Sequence, residues 1–116
     1  MEPFVLLSLA ETPAHGYELA QAVAALGFRR ATDDPSVLYK LLRGLEDQGY
    51  LSSEWGAAGA GPPPRTYRLT RSGRAYLDER AADLERQARR IKVFLGRYRR
   101  LGATARTARP HRSRAG

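Results

Sequence analysis

The stretch Asp34-Pro-Ser-Val-Leu-Tyr-Lys-Leu-Leu-Arg-Gly-Leu-Glu-Asp-Gln-Gly49 decides how the rest of the chain is read. Leu38, Leu41, Leu42 and Leu45 recur at helical spacing as one apolar stripe, while Ser36, Tyr39, Lys40 and Arg43 recur on the opposite side. Asp34 stands where an N-cap is wanted, Pro35 suits a first turn and Gly49 suits a stop, so the pattern predicts a helix over residues 35–48. One face is to be buried and the other presented. Amphipathic helices of this length are common, so any function has to be argued from the neighbouring segments.

Upstream, residues 3–11 are almost wholly apolar and rich in Leu, which favours a short buried helix ended by Thr12-Pro13. His15-Gly16 precedes a second helix, Tyr17 to Leu26, with Leu19, Ala22, Val23 and Leu26 inward and Gly27 as its stop. Residues 28–33 read as a short polar link. Downstream of Gly49 the period changes from that of a helix to that of a strand. Leu51, Ser53 and Trp55 share one side of the first run, and Tyr67 and Leu69 share one side of the second, Arg65 to Thr70. Between them Gly56 to Pro64 carries no charge and reads as a flexible hairpin tip. Helices followed at once by a hairpin give a mainly α fold, a winged helix-turn-helix over residues 1–70. Arg65 and Arg68 are the phosphate contacts that such a wing offers.

Thr70 suits the N-cap of a long helix over residues 71–101. Leu77, Leu84, Ile91 and Tyr98 fall seven apart, and Ala81, Ala88 and Leu95 interleave with them in steps of four and three, the spacing of a coiled-coil seam. At roughly 1.5 Å per residue the helix would be about 45 Å long, more than a small domain covers with its own core. The economical partner is the same helix of a second copy, giving a twofold homodimer. The alternative is that the helix folds back along its own domain, which small alanines would also permit. Residues 102–116 hold four arginines and no acid, and are expected to be a disordered basic tail that adds phosphate contacts or serves solubility alone.

Charge is divided along the chain. Residues 1–64 hold four basic and eight acidic side chains and residues 65–116 hold sixteen basic and four acidic, for a net +8. Such a field draws polyanions, of which nucleic acid is the commonest, though an anionic membrane surface is also attracted; double-stranded DNA is the partner expected here. Arginine outnumbers lysine eighteen to two, which coding bias alone would also produce. There is no cysteine, no signal-peptide pattern at Met1-Glu2-Pro3 and no apolar run long enough to span a membrane. A cytoplasmic protein with no membrane partner is expected. Paired histidines, a glycine loop before a helix and an assembled Ser-His-Asp set are also lacking, so the sequence points to no enzyme, no cofactor and no metal site.

The blocks His15-Gly-Tyr-Glu-Leu19, Leu38-Tyr-Lys-Leu-Leu-Arg-Gly-Leu-Glu-Asp-Gln-Gly-Tyr-Leu51, Glu54-Trp55 and Pro64-Arg-Thr-Tyr-Arg-Leu-Thr70 followed by Gly73, in this order, resemble the PadR-like transcriptional regulators, and the C-terminal half of the long helix resembles, in length and pattern only, their small subgroup with a single dimerising helix. The resemblance spans residues 4 to 77. It implies a homodimeric winged-helix repressor that binds an inverted-repeat operator and is released by a small hydrophobic or aromatic effector or another signal. Carried onto this chain, it implies DNA contacts from Ser36, Tyr39, Lys40 and Arg43 and a backbone contact from Tyr17, whose alternative is a half-buried ring. His15 is expected at the start of the second helix, bonded to backbone, and Trp55 in core or hairpin packing. Phe94 and Tyr98 are the aromatics that such an effector would meet, or equally dimer core. The family usually has several more residues before its first helix, so either the start of the chain is misplaced or the expected pairing leans more heavily on residues 77–101. A dimeric protein-interaction module without specific DNA binding is the alternative.

Overall fold

The computed structural model describes residues 1–56 and 65–108. In chain order the elements are α1 (Glu2–Glu11), β1 (Ala14–His15), α2 (Gly16–Ala25), α3 (Arg30–Asp33), α4 (Pro35–Asp47), β2 (Leu51–Trp55), β3 (Arg65–Leu69) and α5 (Arg71–Ala108). The expected hairpin tip from residue 57, and the expected basic tail from residue 109, lie outside the described residues. Two units are distinguished, Met1–Ala81 and Ala82–Gly116, with their boundary inside α5.

The first unit is built on one core. Val5, Leu6 and Leu9 of α1 meet Leu19, Ala20 and Val23 of α2, Ala31 of α3, Leu38, Leu42 and Leu45 of α4, Leu51, Tyr67 and Leu77. The inward side of α2 differs from expectation. Ala20 takes the place given to Ala22, and Leu26 is exposed, because the helix runs one residue earlier and ends before Leu26. Gly27, at φ 110°, turns the chain there, and Phe28 and Gly27 donate to the Val23 and Ala24 carbonyls, a Schellman closure. The segment read as a polar link contains a helical turn. Phe28 packs on Phe4 with ring centroids 4.8 Å apart, and Ala31 is fully buried, so two apolar side chains pin the turn.

The α4 helix buries Leu38, Leu42 and Leu45 and half-buries Leu41. It ends as α2 does: Gly49 at φ 84°, Tyr50 donating to the Leu45 carbonyl and Gly49 to that of Glu46. The expected two-stranded hairpin has a third strand, in the order β1-β3-β2, all antiparallel. With only two residues, β1 is too short to show any alternation in the sequence. Register pairs Leu51 with Leu69, Ser53 with Tyr67 and Trp55 with Arg65 on one face. That face leaves the core as the hairpin runs outward, so Trp55 is 61% exposed, with the Arg65 guanidinium over its ring, 5.0 Å from the centroid.

One knot joins α4, the sheet and α5. The Thr70 and Ser72 hydroxyls both donate to the Gly49 carbonyl, at 2.7 and 2.9 Å, while Gly73 N–H donates to Thr70 Oγ1 at 3.0 Å as the α5 cap. Tyr76 stacks on Tyr50 with centroids 4.3 Å apart, and its hydroxyl donates to Glu2 Oε1 at 2.8 Å. That bond to a carboxylate, with burial, raises the Tyr76 pKa. Leu77 is 9% exposed and belongs to this core, so it is not part of a free seam. In the second unit, α5 continues to Ala108, past the expected end at Leu101, and Leu84, Ile91, Val93, Phe94, Tyr98 and Leu101 are exposed along it. Alanines at 103, 105 and 108 favour the extension. Among the described residues no helix is long and apolar enough to cross a membrane.

Two glycine substitutions separate close packing from backbone preference. A Cβ on Gly73 would stand 2.1 Å from the Tyr50 carbonyl oxygen, whereas one on Gly44 meets nothing within 4 Å. Gly73→Ala is expected to lower stability in urea unfolding by about 1–3 kcal/mol or more. Gly44→Ala, in an exposed helix interior, is expected to raise it by roughly 0.5–1 kcal/mol.

Candidate nucleic-acid interface

Burying Leu38, Leu42 and Leu45 obliges α4 to present Ser36, Tyr39, Lys40 and Arg43, all of which are exposed. Asp47, one turn beyond Arg43, is exposed on the same side and was not singled out in the sequence. Their surroundings differ. Ser36 donates its hydroxyl proton to Asp34 Oδ1 at 2.6 Å, leaving the oxygen to accept from outside. Lys40 stands at the edge of a shallow groove that also takes in Glu2, Leu41, Gly44 and Gln48. Among the described residues, no ion pair holds Arg43. Tyr39 is 39% exposed, with its phenol end against Gly16.

The start of α2 therefore meets α4 at Tyr39. His15 N–H donates to Glu18 Oε1 at 2.8 Å, closing the first turn of α2, and His15 Nδ1 lies 3.2 Å from Thr66 Oγ1. Its ring stacks on Tyr17 with centroids 5.5 Å apart. Tyr17 is 58% exposed, which corrects the alternative of a half-buried ring.

Arg65 and Arg68 are not brought together. Arg65 lies on the sheet face that pairs with Trp55, and Arg68 on the face that pairs with Ser52. Arg65 Nη2 is 3.9 Å from Glu46 Oε2, which also accepts from Ser53 at 2.6 Å. Arg68 Nε is 4.0 Å from Glu54 Oε2, both side chains being well exposed. Arg65 thus braces the hairpin against α4, a role the sequence pattern did not reveal because Glu46 and Arg65 are far apart in the chain. Burial raises the Tyr67 pKa between them, with Arg65 opposing the shift and Glu46 and Tyr39 adding to it.

The face is close to neutral. From Arg29 to Asp47 the basic residues Arg29, Arg30, Lys40 and Arg43 are matched by Asp33, Asp34, Glu46 and Asp47. In the second unit the balance is reversed: Arg89, Arg90, Lys92, Arg97, Arg99 and Arg100 are exposed, and Asp83 is bonded to Arg86. Of the residues expected at a dimer seam, Ala81 belongs to the first unit and is exposed, Leu84, Ala88, Ile91 and Tyr98 are exposed, and Leu95 is half-buried on its own helix. Phe94 and Tyr98 lie nearly parallel, centroids 6.2 Å apart. Among the described residues no cluster of His, Asp and Glu could hold a metal ion.

Comparison with known proteins agrees with this architecture. The model of the transcriptional regulator PadR-like family matches residues 5–79. The transcriptional regulator Rv3488 of Mycobacterium tuberculosis is 37% identical over 87 residues, covering 75% of this chain and 78% of that protein. Among solved structures, TM0937, a protein of unknown function described as a potential transcriptional factor, superposes with a TM-score of 0.72 at 37% identity, over 86% of this chain and 88% of its own. A PadR family transcriptional regulator from Eggerthella lenta gives 0.65 at 34% identity, over 78% and 80%.

The neighbourhood of Glu46 can be read through Tyr67. A tyrosine whose folded pKa is raised contributes stability below its unfolded value of 10.0, lost as pH climbs through the folded value. Glu46→Gln removes a neighbouring negative charge, so the Tyr67 midpoint in an ultraviolet titration is expected to move down toward 10.0, and the alkaline loss of stability to shrink.

Proposed function

The chain belongs to the PadR-like family of transcriptional regulators, and on that footing we propose that it is a sequence-specific DNA-binding regulator working as a homodimer on an inverted-repeat operator. The observation that carries this is the outward row of α4, in which Arg43 is exposed and held by no ion pair among the described residues while the opposite row is locked in the core. In the major groove, Arg43 and Lys40 donate to guanine edges, and Ser36 and Tyr39 meet bases or phosphates. Tyr17 approaches the backbone beside them. Arg68, whose pairing with Glu54 is exposed on both sides, is the more accessible wing contact, since Arg65 is held between Glu46 and Trp55.

Pairing is assigned to the exposed stripe of α5, centred on Leu84, Ala88, Ile91, Leu95 and Tyr98. Twofold symmetry then sets two α4 helices on successive major grooves, about 34 Å or a multiple apart, which requires an inverted repeat. The regulator acts as a repressor and leaves its operator when a small aromatic compound meets the Phe94 and Tyr98 rings, which stand exposed and nearly parallel. The equal acid and base count around α4 favours a second reading, a dimeric interaction module without specific DNA binding. A gel shift against random duplex competitor separates the two.

Arg43→Ala is expected to weaken operator binding by roughly 1–3 kcal/mol and to relax the base preference at one position of each half-site. An unchanged affinity in a fluorescence titration removes Arg43 from the reading face. Ile91→Asp is expected to yield monomers in sedimentation equilibrium, and an intact dimer would take α5 pairing away from this stripe.

A further inference from the structure

We infer that Gly16 is a positioning residue for DNA recognition: by having no side chain it makes the seat that holds Tyr39, and so fixes one member of the α4 reading row. This rests on the proposal that α4 reads DNA. The geometry is direct. A Cβ on Gly16 would stand 2.5 Å from Tyr39 Cε1, 2.6 Å from its hydroxyl oxygen and 2.9 Å from Cζ. The phenol end of Tyr39 thus lies on the first turn of α2, over a buried glycine backbone.

Glycine is not needed at this position for its backbone freedom. The glycines with positive φ are Gly27 and Gly49, so the Gly16 conformation is open to any L-residue, and as the first residue of α2 it would suit alanine better. What alanine would meet is a ring end from the helix that carries Ser36, Lys40 and Arg43, and that ring would have to leave its seat to make room. Lys40 and Arg43 turn about four side-chain bonds each, and Ser36 is held at its hydroxyl by Asp34. Tyr39 has only two side-chain torsions, and its seat restrains both. A ring held before DNA arrives loses little conformational entropy on binding, which is how a positioned aromatic adds affinity and restricts what stands opposite it.

The test is a double-mutant cycle with Gly16→Ala, Tyr39→Ala and the pair, using duplexes selected by the wild-type full chain from a random pool and read by fluorescence anisotropy and thermal melting. Gly16→Ala is expected to weaken binding roughly 5- to 150-fold, the range of one specific contact, and to loosen base preference. In the Tyr39→Ala background the same substitution is expected to change binding little and to leave the melting temperature unchanged or higher, because the clash is gone. Equal losses in both backgrounds, or none in the wild type, overturn the inference. If Gly16→Ala alone fails to fold, the double variant must recover folding, and its failure to do so also overturns it. A DNA-free arm separates this from the functional reading: nuclear Overhauser contacts between Gly16 Hα and the Tyr39 ring are expected in the free protein, and their absence refutes the seat. A wild-type chain that selects no duplex while showing those contacts refutes the functional reading instead.

Discussion

The Gly49 carbonyl is the point on which the first unit depends. A helix must end with its last carbonyls satisfied, and α4 meets that demand by turning Gly49 into positive φ so that Tyr50 and Gly49 reach back to Leu45 and Glu46. The turn leaves the Gly49 oxygen facing the hydroxyls of Thr70 and Ser72, and Thr70 in turn caps α5. The end of α4 and the junction of β3 with α5, remote in sequence, are thereby registered by hydrogen bonds whose geometry tolerates little drift. Gly73 has no room for a Cβ because the Tyr50 carbonyl occupies that space, so the same knot sets how closely α5 begins against the sheet. The end of α4 and the start of α5 move together or not at all.

Charge is organised on a different principle from packing. Around α4, acids and bases cancel, and Glu46 engages Arg65, so discrimination there depends on a few directed donors and not on bulk attraction. A run of exposed cations is gathered on the second unit, from Arg89 to Arg100, beyond its acids Asp83 and Glu85. A balanced reading face suits selectivity, because a strongly positive one would hold any duplex about equally well. The division also explains why Arg65 and Arg68 are unequal although they are three residues apart. Strand alternation sends them to opposite sheet faces, one toward Glu46 and the other toward Glu54.

Much of this was legible because the signals were local and repeated. Leu38, Leu42 and Leu45 give α4 its buried row, Gly27 and Gly49 give the helix stops, and the change of period after Gly49 gives the hairpin. Relations between distant segments were not legible. Ala14 and His15 become a strand only because Tyr67 and Thr66 stand opposite them. Phe28 and Ala31 make a helical turn out of an apparent link because Phe4 and the core receive them. Leu77 fits a heptad and also a core, and periodicity has no means of choosing between the two. Trp55 alternates with Leu51 as a buried residue should, but the register carries it beyond the edge of the core. Glycines show the same divide: where φ is positive the sequence context announces them, whereas at Gly16 and Gly73 the reason is a neighbour that only the fold supplies.

The second unit poses the opposite energetic problem to the first. Its apolar side chains, from Leu84 to Leu101, are exposed on one helix, and burying them at roughly 25 cal/mol per Å² would favour pairing. Its cations, from Arg89 to Arg100, would be doubled in number by any second copy laid alongside, and like charges within a Debye length, about 8–10 Å at ordinary salt, oppose that pairing. In the proposed dimer the two effects act on the same helix, so association tightens as salt screens the repulsion. Binding of the dimer to a duplex has the reverse dependence, since each phosphate contact releases counterions and is weakened by salt.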